Sequence, residues 1–529
     1  MRFISAFFFS LLVFGLSAKA QTNTPNVLII IADDLGVDPL NAYHDARRTA
    51  TTPTIDSLVS EGVLFENIFA PPLCTPSRAA MLTGKYGVKT GVLGVPGTLD
   101  TIHHTLFREI ERLQPNTYAN AVIGKWHLKA RADVDDPARH GVQFFDGVIG
   151  GAVPDYFEWE RTTNGSQAME DAYATTAFTD AAIDWIGNQN KPWFMWLAHV
   201  APHTPYQVPP AGLFTTSNTN TDLGKYISMI EALDAETGRL LSSLSPTQKA
   251  NTVVIFVGDN GTPSGVLQDY PRGHGKASLY QGGVRVPFII SGAGVTRKGD
   301  REAALVHSAD IFSTVLNITG SVLNTGSENS RNLVPYLNGN QIPERVYNYS
   351  EIGGQAQNGW TMRSDQYKLI AFDDGTQEFY DLVADSLEAN NLLPQGLTQA
   401  QLDVKADFEA EAMQQRDDYS CRDFIQNGNE EGIDCGGTFC APCTVSIQEA
   451  IDIDIQLSPN PAADYVRMQA VGHIIKYVEI FDLNGRLLRR TTGVNSPEAN
   501  VSLDDLSPQT LFVRLRVGEH LIVRQIVKQ

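Results

Sequence analysis

The chain has 529 residues, of which 42 % are hydrophobic and 19 % are charged, as expected for a globular protein of two to four domains. Sixty acidic residues against 40 basic residues give a net charge of −20, which argues against nucleic acid as a partner. In so acidic a chain, basic side chains that gather near one another are candidates for holding an anion.

Residues 1–20 have the pattern of a secretory signal peptide. Arg2 gives a positive start, an apolar run extends from Ile4 to Ala18, and an A-K-A cleavage pattern precedes Gln21. This run is short for a membrane span, and no later stretch approaches the length of one. We therefore expect an exported mature chain without a transmembrane segment.

The first predicted strand ends in two carboxylates. Residues 26–32 read N-V-L-I-I-I-A, a run typical of a central parallel strand that is buried on both faces. Asp33 and Asp34 follow directly, and sites in open α/β sheets form at the carboxyl ends of strands. Adjacent carboxylates repel unless a cation lies between them, so the pair indicates a hard-cation site. A solvated helix cap is the alternative.

A cysteine and an arginine open the second predicted helix. A capped helix over residues 52–62 and a strand over 63–67 lead to Cys74 and the sequence C-T-P-S-R-A-A-M-L-T-G. Backbone N–H groups and the helix dipole favour an anion or an ionised nucleophile at a helix start. Arg78 lies on the same face, one turn on. The alternative is an ordinary helix start with a buried free cysteine.

Helices and strands alternate over about 300 residues, which predicts an α/β sandwich with a largely parallel sheet. The predicted strands are 118–123, 193–199, 252–257 and 286–291, and the predicted helices are 171–188 and 225–241. Polar residues follow the strands in this order: Lys125 and His127, His203, Asp259 and Asn260, and then Lys276. Each alone could be a strand-end, loop or turn residue. Together they are expected at one edge of the sheet.

The eleven residues from Cys74 to Gly84 resemble the signature of the type I sulfatases, and the resemblance covers about residues 25–395. It implies an alkaline-phosphatase-like α/β fold, with a catalytic domain over 21–345 and a smaller antiparallel C-terminal subdomain over 346–418. It also implies that a sulfatase-maturating enzyme oxidises Cys74 to formylglycine, whose hydrate is the nucleophile. One Ca²⁺ would be bound by this formylglycine together with the following residues: Asp33, Asp34, Asp259 and Asn260.

The same resemblance implies roles for the basic residues. Arg78 would stabilise the ionised hydrate, and Lys125 would hold hydrate and sulfate oxygens. After in-line attack on sulfur, His203, with Lys276 nearby, would protonate the departing alcohol. His127 would then accept the proton of the remaining hydroxyl so that sulfate leaves. Two positions depart from the family pattern, Gly258 in place of a common serine and Gln281 in place of the usual glutamate.

Four of the five cysteines cluster near the C-terminal third of the chain, at Cys421, Cys435, Cys440 and Cys443. In an exported protein this cluster predicts two disulfides, whose pairing stays open, with zinc as the alternative. Residues 419–445 are thus expected to form a Cys-rich linker. The remaining thiol, Cys74, needs an explanation, and oxidation to an aldehyde would supply one.

Residues 455–529 predict a small β-sandwich with an Asn484-Gly485 turn. The S-P-N-P sequence at 458–461, the turn pattern around 481–487 and the basic Lys528 resemble the sorting domain of the type IX secretion system of Bacteroidetes. An accessory or carbohydrate-binding β domain is the alternative.

The sequence therefore predicts an exported sulfatase, secreted or at the cell surface, that hydrolyses sulfate esters of carbohydrates. The sorting-domain resemblance implies a sulfated algal polysaccharide, such as ulvan or its oligosaccharides, as the substrate, and the type IX secretion machinery as a partner. Two alternatives stay open. One is a phosphonate monoester or phosphodiester hydrolase of the same superfamily, and the other is a catalytically silent glycan-binding relative.

Overall fold

The computed structural model describes residues 24–43, 47–129, 133–321, 329–340, 345–417, 455–482, 487–504, 506–517 and 520–529. The chain divides into two compact units, Met1–Cys443 and Thr444–Gln529. The predicted signal peptide, the four clustered cysteines and the predicted Asn484-Gly485 turn lie outside the described residues.

A ten-stranded sheet forms the centre of the first unit. Its strands are β1 Asn26–Ala32, β2 Gly62–Phe69, β3 Ala119–Lys125, β4 Phe144–Val148, β5 Trp159–Thr163, β6 Ser166–Glu170, β7 Trp193–Ala198, β8 Thr252–Gly258, β9 Phe288–Gly292 and β10 Asp300–His307. Their order across the sheet is β10-β2-β9-β8-β1-β7-β3-β4-β5-β6. The central strands β8-β1-β7-β3-β4 are parallel, and the predicted α/β fold with a large, mostly parallel sheet is confirmed.

Strand β9 is an exception to the parallel arrangement, because it runs antiparallel to both β2 and β8. The chain leaves the carboxyl end of β8 and stays at that edge of the sheet over residues 259–287. It re-enters the sheet from the same edge, so β9 must run in the opposite direction. This long connection carries Asn260 and Lys276.

Helices cover both faces of the sheet. They are α1 Pro53–Ser60, α2 Cys74–Thr83, α3 Gly87–Thr90, α4 Leu106–Leu113, α5 Asp136–Arg139, α6 Ala174–Gly187, α7 Asp222–Ser243, α8 Pro246–Ala250, α9 Gln281–Val284, α10 Asp310–Ile318, α11 Val334–Leu337 and α12 Gln399–Asp417. Two 3₁₀ turns lie at Asn41–Tyr43 and Leu393–Gln395. None of the helices in the described ranges is both long and apolar enough to cross a membrane.

The apolar run of β1 is explained by burial on both sides. Leu28 and Ile30 pack into the core that contains side chains of α1, α6 and α7. Val27 and Ile29 alternate with them and pack into the opposite core, with side chains of α2, α4 and α10. All four side chains are fully buried, so β1 is a fixed support for the residues at its end.

A second, antiparallel sheet follows, with strands β11 Asn348–Ile352, β12 Gly359–Arg363, β13 Tyr367–Phe372 and β14 Gln377–Asp381. Helix α12 packs on one face of this sheet through Phe408 and Ala412. The other face packs against Leu73, the residue that precedes α2. The second sheet therefore supports the start of the helix that carries Cys74.

In the unit Thr444–Gln529 the described residues form a small antiparallel β-sandwich, as the sequence predicts for residues 455–529. Its strands are β15 Ile455–Ser458, β16 Tyr465–Ala470, β17 Ile475–Phe481, β18 Leu487–Ser496, β19 Glu498–Ser502, β20 Gln509–Val517 and β21 His520–Lys528. They form a three-stranded sheet, β15-β16-β19, and a four-stranded sheet, β18-β17-β20-β21. Alternate residues such as Val466, Met468, Leu511 and Val513 are fully buried between the two sheets.

Candidate active site

Backbone hydrogen bonds between neighbouring strand ends fix the first carboxylates. The Asp33 amide donates to the carbonyl of Ala201, after β7, at 3.1 Å. The Asp259 amide, after β8, donates to the carbonyl of Ala32 at 3.1 Å. The parallel strands therefore deliver these carboxylates to one edge of the sheet, where ligand sites of open α/β sheets form.

Asp34 adopts a left-handed backbone conformation, with φ of 67°. This conformation is unusual for a residue other than glycine, and strain of this kind persists only where the surroundings hold it. The Asp34 amide donates to Asp259 Oδ1 at 3.1 Å, and its carbonyl accepts from the Tyr226 hydroxyl at 2.8 Å. Asn260 Nδ2 donates to Asp34 Oδ1 at 2.9 Å. The backbone of Asp34 is thus fixed by Asp259 and Tyr226, and its side chain is held by Asn260.

Cys74, the first residue of α2, lies among these groups. Its Sγ is 3.4 Å from Asp33 Oδ1, 3.8 Å from Asp34 Oδ1 and 3.5 Å from Lys276 Nζ. Burial, followed by the charge of Asp33, raises the pKa of the Cys74 thiol well above its usual range. The unmodified side chain therefore stays a neutral thiol, which is a poor nucleophile.

Two cations of the site are fully buried. Arg78 donates to Asp259 Oδ2 through Nε at 3.1 Å and Nη2 at 2.8 Å, and its Nη1 donates to the carbonyl of Lys125 at 2.8 Å. Lys125 Nζ lies 2.5 Å from Asp33 Oδ2. Arg78 therefore holds together the ends of β3 and β8, besides supplying charge.

Two further basic side chains reach the surface. Lys276 Nζ lies 2.5 Å from Asp34 Oδ1, and His203 Nε2 lies 3.7 Å from Asp34 Oδ2. Their side chains are 18 % and 17 % exposed, whereas those of Arg78 and Lys125 are not exposed at all. A substrate that enters from solvent therefore meets Lys276 and His203 first.

His127 is held as a neutral imidazole. Burial, assisted by the charges of Lys125 and Arg78, lowers its pKa to about 2. Its Nδ1 is buried and has no hydrogen-bond partner within the described residues. Gly151 lies directly against the ring, since a Cβ at that position would be 2.5 Å from His127 Nε2. A neutral imidazole keeps one ring nitrogen that can accept a proton.

The acidic residues fit a hard divalent cation. One ligand atom from each of Asp33, Asp34, Cys74 and His203 lies within 4.8 Å of the others. Asn260 Oδ1 is buried without a hydrogen-bond partner in the described part of the chain, as expected for an oxygen that is kept for a metal.

Electrostatics lead to the same assignment. Burial, followed by repulsion from Asp259, raises the pKa of Asp33. Burial acts in the same direction on Asp34, but Lys276, His203 and Lys125 together lower the pKa of Asp34 to about 2. A bound cation would relieve the repulsion among the three carboxylates, so Asp33, Asp34 and Asp259 are suited to Ca²⁺.

All ten residues singled out in the sequence thus lie around one site, and the structure adds support that the sequence did not reveal. Tyr226, from α7, holds the Asp34 carbonyl, and the Tyr156 hydroxyl donates to the carbonyl of His203 at 2.8 Å. A tyrosine within an apolar pattern resembles an ordinary core residue, so neither was predicted. Gly36 was a possible signal, because a Cβ there would lie 2.6 Å from the Thr262 hydroxyl beside the site.

The two departures from the family pattern lie outside the set that contacts Cys74. A Cβ at Gly258 would be 2.2 Å from the carbonyl oxygen of Leu35 and 2.9 Å from Pro287 Cδ, so the close approach of β8 requires glycine. Gln281 begins α9 and donates its backbone N–H to Glu388 Oε2 at 2.5 Å. This backbone contact joins α9 to the segment after β14 and does not depend on which side chain residue 281 carries.

Comparison with known proteins gives matches over most of the first unit. The sulfatase family model matches residues 25–321, and that of the N-sulphoglucosamine sulphohydrolase C-terminal region matches residues 273–417. The chain is 28 % identical over 379 residues to the N-acetylgalactosamine-6-sulfatase of Canis lupus familiaris, covering 63 % of this chain and 70 % of that enzyme. The Homo sapiens enzyme of the same name is 28 % identical over 349 residues, covering 58 % of this chain and 64 % of its own length.

Among solved structures, the crystal structure of Ps i-CgsB in complex with k-i-k-neocarrahexaose resembles this chain with a TM-score of 0.66. The sequences are 24 % identical, and the similarity covers 75 % of this chain and 93 % of that one. The likeness shows that the two proteins share a fold.

Proposed function

This chain belongs to the sulfatase family of sulfuric ester hydrolases, and we propose that it hydrolyses sulfate esters of carbohydrates with a formylglycine formed from Cys74. The observation that carries the proposal is the position of Cys74 Sγ, within 3.8 Å of two carboxylates and of the Lys276 ammonium. A neutral thiol has no evident chemistry there. An aldehyde hydrate at the same position would supply oxygen atoms suited to attack on sulfur.

The metal that the family implies is Ca²⁺, and we assign its binding to Asp33, Asp34, Asp259 and Asn260 with the modified Cys74. Support comes from the three buried carboxylates and from the unpartnered Asn260 Oδ1. When bound, the ion would supply positive charge that offsets the carboxylates and polarises the sulfate ester.

The two buried cations, Arg78 and Lys125, are assigned to holding and stabilising the negatively charged oxygens of the reaction. Arg78 and Lys125 are fully enclosed and are fixed by Asp259 and Asp33, so their charges are preorganised before the substrate arrives. Charge that develops on sulfate oxygens in the transition state is stabilised without reorganisation of these groups. We assign Arg78 to stabilising the ionised nucleophile and Lys125 to holding its oxygens and those of sulfate.

Proton transfer is divided between two histidines. Burial alone would lower the pKa of Lys276, but nearby carboxylates raise it well above the usual range, so Lys276 stays charged and stabilises the leaving oxygen. We therefore assign the donation of a proton to the departing alcohol to the partly exposed His203. His127, which is neutral and enclosed, accepts the proton that must be removed before sulfate is released.

The substrate class that we propose is a sulfated algal polysaccharide, such as ulvan, or its oligosaccharides. The curated relatives are named for a sulfated sugar, N-acetylgalactosamine 6-sulfate, and one solved structure of the same fold holds a neocarrahexaose. Both support carbohydrate as the group that carries the sulfate. The algal source rests on the resemblance of residues 455–529 to a Bacteroidetes sorting domain.

We also propose that the chain is exported to the cell surface or beyond. Residues 1–20 would act as the signal peptide, and residues 455–529 would be recognised by the type IX secretion machinery. A sulfatase-maturating enzyme would convert Cys74. The sequence patterns at the two ends of the chain support this route.

The test combines a chemical readout with an activity readout. Mass spectrometry of the peptide that contains Cys74 should show the mass loss of thiol-to-aldehyde conversion after coexpression with a maturating enzyme. The converted protein should release sulfate from one or more members of a panel of sulfated polysaccharides, and Cys74→Ala should release none. A clear preference for an aryl phosphodiester over an aryl sulfate would instead favour a phosphodiester or phosphonate monoester hydrolase.

A further inference from the structure

The outer face of the four-stranded sheet in the second unit carries arginines between aromatic rings. Strand β17 places Tyr477 opposite Arg516 of β20, and Phe481 opposite Phe512. Glu479 lies opposite both Arg514 of β20 and Arg490 of β18. Directly opposed residues share a face of an antiparallel pair. We call this surface the arginine–aromatic face, and its members are Tyr477, Phe481, Arg490, Phe512, Arg514 and Arg516.

The opposite face of the same strands is apolar and closed. Val478, Ile480, Val513 and Leu515 alternate with the residues named above and are at most 1 % exposed in the sandwich core. The arginine–aromatic face therefore does not contribute to the core of its own unit. Its arginines and aromatic rings require another explanation.

The charge on this face is positive. Arg490 Nε lies 2.9 Å from Glu479 Oε1, and Arg514 Nε lies 2.6 Å from Glu479 Oε2. The Glu479 carboxylate is thus shared by the guanidinium groups of Arg490 and Arg514. Arg516, opposite Tyr477, brings a third guanidinium group to the same face. Residues 455–529 contain nine Lys and Arg against seven Asp and Glu, although the whole chain carries a net charge of −20. Residues 455–529 therefore carry a net charge of +2, in contrast to the acidic chain as a whole.

The rings hold the arginines in place. The Arg514 guanidinium lies 4.7 Å from the centroid of the Phe481 ring, and that of Arg490 lies 5.7 Å from the centroid of the Tyr477 ring. Stacking of this kind orders long side chains before a ligand arrives, which reduces the entropy lost on binding. Arg490 remains 54 % exposed, so the ordered charge is accessible.

We propose that the arginine–aromatic face binds the sulfated polysaccharide itself, as a site separate from the catalytic centre. The planar guanidinium group matches the geometry of oxyanions such as sulfate, and aromatic rings offer apolar surface to the C–H faces of pyranose rings. Strands β18 and β20 lie two strand spacings apart, about 10 Å, so the cations span the length of a disaccharide.

The ligand class rests on the proposed function, whereas the binding site is additional to it. An enzyme that is tethered to a polymer meets further sulfate groups at a raised effective concentration. The net charge of the whole chain would repel an anionic polymer, so a local cationic surface is needed for retention.

The binding test uses the full chain with Cys74→Ala, so that turnover cannot remove the ligand. Affinity electrophoresis in carrageenan should retard this protein, and electrophoresis in agarose, an unsulfated galactan, should not. Adding Arg490→Gln and Arg516→Gln should weaken retention about tenfold and reduce its salt dependence. Arg514 is left intact, so that the buried Glu479 keeps one partner.

The matched control is Arg467→Gln, which removes an arginine of β16 that is 48 % exposed and paired with Glu498. It changes the net charge in the same direction but lies on the three-stranded sheet, and it should leave retention unchanged. Equal losses in the control and in the Arg490 and Arg516 variants would overturn the proposal. Equal retardation by agarose and carrageenan would overturn it as well.

Two other occupants of the face are separable outcomes. If the Arg490 and Arg516 variants blocked export without changing carrageenan binding, the face would serve the secretion machinery. If they converted a dimer to a monomer with carrageenan binding intact, the partner would be a second copy of the chain. Either result would overturn the proposal. Sulfate release from a small aryl sulfate, measured with Cys74 intact, tests the proposed function independently.

Discussion

The Tyr226 hydroxyl donates a hydrogen bond to the backbone carbonyl of Asp34 at 2.8 Å, from inside helix α7. Tyr226 is fully buried, and Asp34 has a left-handed backbone. The hydrogen bond therefore fixes a strained residue whose side chain is a proposed metal ligand. Residues that hydrogen-bond to a metal-binding residue orient it and thereby affect how well it binds the metal.

Removal of this hydroxyl is expected to weaken the metal site. Tyr226→Phe keeps the ring and its packing but leaves the Asp34 carbonyl without its donor. We expect Ca²⁺ affinity to fall about tenfold, and the free energy of unfolding to fall by about 1 kcal/mol. Calorimetric Ca²⁺ titration and urea denaturation measure the two effects.

Tyr118→Phe is the matched control. The Tyr118 hydroxyl also donates to a backbone carbonyl at 2.8 Å, but that carbonyl belongs to Pro25, which precedes β1, whereas Asp34 follows β1. Tyr118→Phe should lower stability by a similar amount without altering Ca²⁺ affinity. If both variants lost affinity equally, Tyr226 would have no specific role in positioning Asp34.

A methyl group at residue 151 is expected to displace His127. In Gly151→Ala the new Cβ would lie 2.5 Å from His127 Nε2, so the imidazole must move. A misplacement of about 1 Å in a catalytic group lowers the rate about 100-fold, and we expect a loss of that order in kcat for sulfate release. Steady-state kinetics on an aryl sulfate measure it.

Gly187→Ala serves as the control for that substitution, because a Cβ there meets nothing within 4 Å. It should leave kcat unchanged and raise the free energy of unfolding by about 0.5 kcal/mol. Unaltered kcat in Gly151→Ala would show that the ring of His127 is either mobile or not required.

His199 is expected to make the fold sensitive to acid. It is fully buried, neither ring nitrogen has a hydrogen-bond partner among the described residues, and burial lowers its pKa to about 3. The unfolded chain binds a proton to this residue below about pH 6.5, whereas the folded chain does not. Above about pH 6.5 His199 therefore leaves the free energy of unfolding unaffected. As the pH falls from there toward 3, the free energy of unfolding decreases.

His199→Leu should remove this dependence. Between about pH 7.5 and about pH 4.5, the wild-type free energy of unfolding should fall by about 2–3 kcal/mol more than that of the variant. Urea denaturation across this pH range provides the measurement. His473→Gln, at an exposed position, should follow the wild type, and parallel curves for His199→Leu and wild type would contradict the prediction.

Restoring the serine that is common in the family at residue 258 should destabilise this chain. Gly258→Ser would place Cβ 2.2 Å from the carbonyl oxygen of Leu35. This oxygen belongs to the backbone that follows β1, so it cannot move away without distorting the chain. We expect a loss of about 2–3 kcal/mol in the free energy of unfolding. Gly265→Ser, where a Cβ meets nothing within 4 Å, should be nearly neutral in the same denaturation assay.

That the ten candidate residues lie around one edge of the sheet was predictable because each follows a strand or opens a helix, and the topology of a parallel sheet joins such positions. The direction of β9 was not, since its sequence is apolar in either orientation. Helix α12 was not predicted, although its residues favour a helix, because its apolar periodicity is weak: the fully buried side chains in the described part of that helix are Phe408 and Ala412. Supporting residues such as Tyr226 could not be identified from the sequence, because a tyrosine in a helix is commonly an ordinary core residue.

The packing of the second sheet against the start of α2 has a consequence for biosynthesis. The Ser350 hydroxyl donates to the carbonyl of Ala70 at 3.0 Å, and the backbone N–H of Gln281 donates to the Glu388 carboxylate. The surroundings of Cys74 therefore depend on residues that are synthesised long after it. At about 5–20 residues per second, the intervening stretch of roughly 300 residues takes on the order of 15–60 s to translate. During that interval the helix start lacks its final cover, so the proposed modifying enzyme would have time to reach a thiol that is only 2 % exposed once folding is complete.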